Sequence, residues 1–269
     1  MNPGHGRGDE IVELGNDLFG LLSRPSAPSK GVCVVLLNAG FLPRSDPFRL
    51  HVRLARRLAA QGYAVLRFDL PGVGDSLSLT ELPQSRLLHE VFDALGRRTG
   101  YTRLIVGGIC GGADLAWQAS LADPRVVGAI LLDGLARKTF SYKLGRLRRA
   151  FRTPLSRWPD KLRRMLLHSP RDANAITVES ERGWPAPGVE REQLQTLSSR
   201  GVELFFLYTG DTSYFLHRGQ FDETFGAAAR SANVQFSYWP ETNHLFYDEA
   251  DREELFSAIG GWLQQRLPD

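Results

Sequence analysis

The stretch that decides the fold is Gly107-Gly108-Ile109-Cys110-Gly111-Gly112-Ala113, which follows the short apolar run Leu104–Val106. In this stretch, one glycine lies two residues before the cysteine and another lies two residues after it. A strand that turns at once into a helix needs very small residues at these two positions, because its two arms pass close together. The sequence therefore predicts a sharp strand-to-helix turn with Cys110 at its apex, as a candidate nucleophile.

The residues after the turn, Ala113 to Leu121, are predicted to form a helix whose N-terminus points at Cys110. The positive end of the helix dipole would lower the pKa of the thiol and favour the thiolate. The pattern taken alone also fits a glycine-rich turn around a buried cysteine, so the choice depends on the rest of the chain. Cys33, the other cysteine, lies in an apolar run and is interpreted as a core residue.

Apolar runs alternate with amphipathic stretches over the 269 residues, as is typical of a single α/β domain with a mostly parallel sheet covered by helices. Residues Glu10–Leu22 are predicted to form an antiparallel hairpin at the sheet edge. Leucines that recur every fourth residue from Leu50 predict an early helix, and an apolar stripe from Leu255 to Leu263 predicts a last one. The predicted strands are Val32–Leu37, Ala64–Phe68, Leu104–Val106, Val126–Leu132, Val202–Leu207 and Val234–Trp239.

Residues 134–200 are longer than a simple crossover between two strands requires, and we interpret them as an inserted helical cap over the site. From Gly134 to Arg171 the chain has twelve Lys and Arg residues but one acidic residue, Asp160. Such a charge run is either a solvated helical face or a surface that attracts an acidic substrate or partner. The basic cluster comprises Arg137, Lys138, Lys143, Arg146, Arg148, Arg149, Arg152, Arg157, Lys161, Arg163 and Arg164.

A nucleophile that attacks a carbonyl carbon needs backbone N–H groups to stabilise the negative charge on the carbonyl oxygen. Gly111 directly follows the candidate nucleophile and supplies one such group. The loop after the first predicted strand of the parallel sheet has the sequence Asn38-Ala39-Gly40-Phe41. The second donor is therefore predicted to be the N–H of Ala39, Gly40 or Phe41.

On the segments Leu36–Arg44, Val65–Ser76, Gly108–Asp114 and Val127–Asp133, the chain resembles the α/β-hydrolase superfamily. Within it, the chain is most similar to bacterial serine-aminopeptidase-like hydrolases and to exosortase-associated hydrolases. The resemblance implies a sheet of about eight strands, a cap and hydrolase chemistry, but not peptidase activity. The chain departs from the superfamily in having Cys110 in place of the usual serine, although dienelactone hydrolases and some off-loading thioesterases also use cysteine.

In this fold the nucleophile, the acid and the histidine follow one another in that order along the chain. His244 is the one histidine of six that comes after the last predicted strand, and it is the predicted general base. Asp211, in the loop after the strand Val202–Leu207, is the predicted acid. Asp133, after the preceding strand, is the alternative.

Cysteine chemistry favours activated acyl groups. A thiolate exchanges with a thioester at little cost in bond energy, whereas formation of an acyl-thioenzyme from an oxyester is uphill. We therefore predict an esterase or thioesterase that acts through an acyl-Cys110 intermediate, with no cofactor or metal. The alternative is an acyltransferase or off-loading cyclase acting on intermediates bound to coenzyme A or an acyl carrier protein. The complete set of loops disfavours a third interpretation, a non-catalytic binding protein.

Two cysteines are too few for a disulfide framework, and neither lies in a metal-ligand spacing. The N-terminal stretch MNPGHGRGDE has no apolar core of a secretory signal, and no apolar run reaches about 18 residues. These features predict a cytoplasmic protein, where a reduced thiol persists. Nucleic acid is not a predicted partner, because Phe140, Tyr142 and Phe151 resemble packing residues more than a stacking platform.

Overall fold

The computed structural model describes residues 9–76, 80–151 and 182–268, and within these ranges it has eight β-strands and seven α-helices. Strands and helices alternate along most of the chain, which confirms the predicted α/β class. The elements in chain order are β1 (Glu10–Gly15), β2 (Leu18–Ser23), β3 (Val32–Leu37), α1 (Leu50–Ala60), β4 (Ala64–Phe68), α2 (Gln84–Thr99), β5 (Arg103–Ile109), α3 (Gly111–Ala122), β6 (Val126–Leu132), α4 (Phe140–Phe151), α5 (Val189–Ser199), β7 (Glu203–Thr209), α6 (Gly219–Phe225), β8 (Val234–Trp239) and α7 (Glu249–Arg266).

The strands form one sheet in the order β1-β2-β4-β3-β5-β6-β7-β8. β1 pairs antiparallel with β2, and β2 pairs antiparallel with β4, so the predicted hairpin forms the sheet edge. All the remaining pairs are parallel. The prediction of a mostly parallel eight-stranded sheet is therefore confirmed.

Two strands end later than predicted, β5 at Ile109 and β7 at Thr209. β5 continues through Gly107 and Gly108 to Ile109, although glycine weakens an isolated strand. These residues stay extended because they pair with Ile130–Leu132 of β6 on one side, and the two glycines also pair with Leu36 and Leu37 of β3 on the other. The longer β5 carries the chain directly to Cys110.

Helices pack against both faces of the sheet. Leu54 and Leu58 of α1 and Leu255 and Ile259 of α7 are buried in one cluster on one face, which confirms both predicted apolar stripes. Helices α2 and α3 cover the other face. Burial of a Leu or Ile side chain stabilises the folded state by about 1.5–3 kcal/mol, so these stripes fix the helices firmly on the sheet.

The parallel strands end at one edge of the sheet, and the loops after β3, β5, β6, β7 and β8 meet there. Of the predicted cap, the described parts are residues 134–151, which contain α4, and 182–200, which contain α5. Its centre lies outside the described residues, together with Arg152, Arg157, Lys161, Arg163 and Arg164 of the basic cluster. Across the described ranges, we find no helix with both the length and the apolarity needed to span a membrane.

Candidate active site

Cys110 lies between the end of β5 and the start of α3, with φ 55° and ψ −119°. Residues other than glycine rarely adopt a left-handed φ. Such backbone strain persists where the surrounding structure enforces it. A Cβ atom on Gly108 would lie 2.8 Å from the carbonyl carbon of Gly112. A Cβ atom on Gly112 would lie 2.7 Å from the carbonyl oxygen of Asn38. The two flanking glycines therefore allow β5, α3 and the loop after β3 to approach closely at the turn.

Backbone hydrogen bonds hold the turn on both sides of Cys110. Its N–H donates to the carbonyl of Leu132 at 2.9 Å, at the end of β6. Its carbonyl accepts from the N–H groups of Ala113 at 3.0 Å and Asp114 at 3.2 Å, in the first turn of α3. The nucleophile candidate is thus fixed to the sheet and to the helix at once.

His244 follows β8 and contacts two side chains of the site. Its Nδ1 lies 2.7 Å from Oδ2 of Asp133, and its ring also hydrogen-bonds to the Cys110 thiol. The Asp133 carboxylate is fully buried. It accepts two hydrogen bonds from Thr209, one from the backbone N–H at 2.7 Å and one from the side-chain hydroxyl at 2.8 Å. Cys110, His244 and Asp133 therefore form one continuous hydrogen-bonded chain.

The prediction that His244 faces Asp211 is wrong. Asp211 instead accepts a hydrogen bond at 2.6 Å from the side chain of Asn243. Asp133 directly follows β6, the strand next to β5, whereas Asp211 lies beyond the end of β7, one strand further from the cysteine. Both aspartates satisfy the chain order, so the position of the strands in the sheet decides between them.

The pKa values of His244 and Cys110 shift in opposite directions. Burial alone would lower the pKa of His244, but hydrogen bonds to Asp133 and Cys110 outweigh it and raise the pKa to about 10. Burial would likewise raise the pKa of Cys110, but the hydrogen bond with His244 and the charge of Arg182 bring it below the ordinary thiol value. Both shifts favour a thiolate paired with an imidazolium over the pair of neutral groups.

The two segments predicted to supply backbone N–H donors lie close together at Cys110. The Gly111 N–H hydrogen-bonds to Cys110, and a Cβ atom on Gly111 would lie 3.5 Å from the Gly40 nitrogen. Ala39 and Gly40 both line the cavity next to the sulfur. Phe41, the third predicted candidate, does not line this cavity, and its side chain is 92% exposed. The geometry thus favours the Gly111 and Gly40 N–H groups as a donor pair.

The loop that carries Gly40 is held by the buried side chain of Asn38. Its amide group donates to the carbonyl of Leu42 at 2.8 Å and to Asp69 at 3.2 Å, and its oxygen accepts from the N–H of Leu70 at 2.9 Å. Asp69 also accepts from the backbone N–H of Asp75 at 3.2 Å. The Asn38 and Asp69 side chains therefore shape the loop beside the site.

A cavity of about 380 Å³ opens at Cys110. That volume is near the lower end for small-molecule sites. Among the described residues, no group of three or more His, Cys, Asp and Glu side chains is arranged to hold a metal ion. The apolar side chains that line the cavity are Leu42, Leu70, Ile109, Leu115 and Leu245, and the polar ones, besides Cys110 and His244, are Asn38, Gln84, Asp114, Gln118 and Arg182.

Arg182 lines the site although no sequence pattern predicts it. Its side chain donates to the carboxylate of Asp114 at 2.5 Å and to the carbonyls of Cys110 at 2.7 Å and Asp133 at 3.1 Å. No local pattern marks this residue, because its partners lie between 49 and 72 residues away along the chain.

Comparison with known proteins identifies the family and the fold of this chain. The sequence profile of the alpha/beta hydrolase family matches residues 34–258. A search of curated proteins by sequence finds no match. Three solved structures share the fold at low identity. An esterase of Pyrococcus furiosus is 17% identical with a TM-score of 0.62, covering 96% of this chain and 90% of its own.

The esterase domain of a Rhodothermus marinus protein is 15% identical with a TM-score of 0.57, covering 96% of this chain and 98% of its own. An alpha-beta serine hydrolase homologue from Coxiella burnetii is 13% identical with a TM-score of 0.57, covering 97% and 99%. Identities this low show a shared fold, whereas the family profile extends over most of the sequence. This chain therefore belongs to the alpha/beta hydrolase family and is a hydrolase enzyme.

Proposed function

We propose that this hydrolase is a cysteine-dependent esterase or thioesterase that works through an acyl-Cys110 intermediate. The observation that carries the proposal is the hydrogen-bonded chain from Cys110 through His244 to Asp133, at the wall of a cavity. A nucleophile, a base and an orienting acid in this arrangement are what acyl transfer requires.

In the first half of the reaction, the Cys110 sulfur attacks the substrate's carbonyl carbon. The electron pair of the carbonyl moves to its oxygen, where the N–H groups of Gly111 and Gly40 stabilise the negative charge. When that pair returns, the bond to the leaving group breaks. The proton of the His244 imidazolium goes to the leaving alcohol or thiol, and the acyl group remains on sulfur.

In the second half, His244 is neutral and accepts a proton from water. The resulting hydroxide attacks the acyl carbon, and the acid leaves as the carbon–sulfur bond breaks. Asp133 keeps the imidazole in the orientation that serves both halves, because it holds Nδ1 while the other ring nitrogen faces the sulfur. The enzyme returns to its thiolate–imidazolium state.

A thioester is the substrate class that fits this nucleophile best. Exchange of one thioester for another is close to balanced in free energy, whereas an oxyester must give up a more stable acyl bond. An alkoxide is also a poorer leaving group than a thiolate. Oxyesters are therefore expected to react more slowly than thioesters of the same acyl group.

The test is intact-protein mass spectrometry after incubation with a panel of acyl thioesters. We expect an acyl adduct that maps to Cys110 and is absent in Cys110→Ala, which should lose turnover and keep its fold. Cys33→Ala is the matched control. Cys33 is fully buried, and burial raises the pKa of its thiol to about 12, so its removal should leave labelling unchanged. Full turnover by Cys110→Ala would refute the proposal.

A second candidate function is acyl transfer from a carrier, coenzyme A or an acyl carrier protein, to an amine or alcohol. The observation in its favour is the basic last turn of α4. Arg148 and Arg149 line a cavity of about 440 Å³ together with Arg218, His217 and Glu241. This excess of positive groups suits a phosphate-bearing carrier. Product analysis with and without an added amine or alcohol separates transfer from hydrolysis.

A further inference from the structure

We propose that Arg182 is a positioning residue that fixes the backbone of Cys110 and Asp133 and holds a permanent positive charge beside the Cys110 sulfur. The inference rests on the proposed function, since it assigns a task to Arg182 within that same reaction. It adds to the proposed site a residue that comes from the end of the cap segment.

The first support is a shared backbone contact. One terminal nitrogen of the guanidinium donates to the carbonyl of Cys110 at 2.7 Å and to the carbonyl of Asp133 at 3.1 Å. Both residues have a left-handed φ, 55° at Cys110 and 48° at Asp133, although neither is glycine. Strained residues keep such conformations only where neighbouring groups hold them. Arg182 therefore links the two strained positions of the proposed triad to each other.

The second support is the rigid setting of the guanidinium itself. Its Nε donates to the Asp114 carboxylate at 2.5 Å, and its centre lies 4.9 Å from the Trp184 ring and 5.2 Å from the Tyr214 ring. The side chain is 10% exposed. A planar group that forms hydrogen bonds along its edge and contacts aromatic rings with its faces is a task for arginine rather than lysine.

Tyr214 supports the same arrangement from the loop after β7. Its hydroxyl donates to the Asp133 carbonyl at 2.6 Å, so that this oxygen accepts from both Tyr214 and Arg182. The carbonyl contacts are thus part of a buried network in which Asp114 balances the charge of the arginine. Removal of one member of this network lowers the stability of the fold, because it leaves a buried charge without its partner.

The third support is the charge that the sulfur experiences. Arg182 is one of the groups that lower the pKa of Cys110, after the hydrogen bond from His244. The groups that face the sulfur or its partners are the cations His244 and Arg182, the carboxyls Asp133 and Asp114, and the phenol Tyr214. His244 loses its proton during the reaction, whereas arginine stays protonated throughout. The charge of Arg182 is therefore present both when the Cys110 thiolate attacks and when it departs from the acyl group.

The experiment measures the rate of Cys110 alkylation by iodoacetamide across pH, read by mass spectrometry of the labelled peptide. We expect Arg182→Gln to move the midpoint of the rate to higher pH and to slow labelling at pH 6 by about tenfold or more. The plateau at high pH should stay close to that of the wild type, because access to the sulfur is unchanged. Arg182→Lys keeps the positive charge but lacks the planar guanidinium. Its labelling midpoint should lie between those of the wild type and Arg182→Gln.

Arg137→Gln is the matched control. Arg137 also pairs with a buried acid, Glu190 at 3.0 Å, and donates to a backbone carbonyl, that of Pro185. It does not touch the sulfur or its partners in the described contacts, so its labelling profile should follow the wild type. An equal shift in both variants would mean a general loss of packing and would overturn the assignment of Arg182.

Asp114→Asn gives a test in the opposite direction, and it also serves if Arg182→Gln fails to fold. Removal of this carboxylate leaves the arginine charge uncompensated, so the labelling midpoint should move to lower pH. Absence of shifts in Asp114→Asn and in every folded Arg182 variant would overturn the inference. Full turnover by Cys110→Ala would instead refute the proposed function itself.

Discussion

At the residue scale, the site depends on which carboxylate orients His244. The buried Asp133 accepts hydrogen bonds from Thr209 as well as from the imidazole, whereas Asp211 contacts Asn243. Hydrogen bonds from several donors hold the Asp133 carboxylate in place beside the imidazole. Asp133 is therefore positioned to stabilise a His244 imidazolium. Asp211 instead contacts Asn243, the residue before His244.

The two aspartates should respond differently to the same substitution. Asp133→Asn removes the charge that holds the imidazolium, and we expect kcat/KM for an acyl thioester to fall by about 100-fold or more. Asp211→Asn retains a hydrogen-bond acceptor for Asn243, and its kcat/KM should stay within about threefold of the wild type. Steady-state kinetics on both variants make the measurement. A larger loss in Asp211→Asn than in Asp133→Asn would return the acid to position 211.

At the element scale, the turn between β5 and α3 determines where Cys110 lies. Three pieces of chain approach there: the end of β5, the start of α3 and the loop after β3. Glycine is required at Gly108 and Gly112 because backbone atoms of other segments fill the space that a side chain would need. The elements pack at native density around this point, so even one methyl group disturbs them.

A comparison of two glycines tests this packing. In Gly112→Ala the new methyl group would lie 2.7 Å from one backbone oxygen, that of Asn38, and 2.8 Å from another, that of Leu37. We expect the free energy of unfolding to fall by about 1–3 kcal/mol, because backbone must move to make room. Gly261→Ala in α7 meets no atom within 4 Å and should raise it by about 0.5–1 kcal/mol. Urea unfolding of both variants measures these changes. An undiminished stability of Gly112→Ala would contradict the close approach of α3 to the loop after β3.

At the scale of the whole molecule, charge is unevenly distributed. The chain has a net charge of only +3, yet the basic cluster concentrates positive side chains in the segment between β6 and β7. Arg137 of this cluster is used internally, since it pairs with Glu190. Arg148 and Arg149 line a cavity near the ends of β7 and β8, together with Glu241. This part of the surface is the one that would attract an acidic carrier.

A salt titration tests that attraction. Charge-steered encounters weaken as the Debye length shortens to about 8 Å at physiological ionic strength. We expect kcat/KM for a carrier-bound acyl thioester to fall with added salt, and to be lower still in an Arg148→Glu/Arg149→Glu variant. A neutral small thioester should show little dependence on salt.

The matched control reverses two neighbouring charges far from the site. Arg97 and Arg98 lie in the last turn of α2, whereas Gln84 at the start of that helix lines the cavity at Cys110. Arg97→Glu/Arg98→Glu should therefore leave the carrier-bound reaction close to the wild type. An equal salt dependence for the carrier-bound and the neutral thioester would show that the basic cluster is a solvated face. An equal loss of kcat/KM in the two double variants would show the same.

The sequence by itself determined the α/β class, most strand positions, the edge hairpin and the sharp turn at Cys110. Each of these depends on local periodicity or on glycines at fixed spacing, which a linear pattern records directly. His244 could also be named from its place after the last strand. The tertiary structure alone decided which aspartate meets His244, because the order of strands across the sheet is not written in the order along the chain. It alone revealed Arg182, since the carbonyls and rings around its guanidinium come from distant segments that meet only in the folded chain.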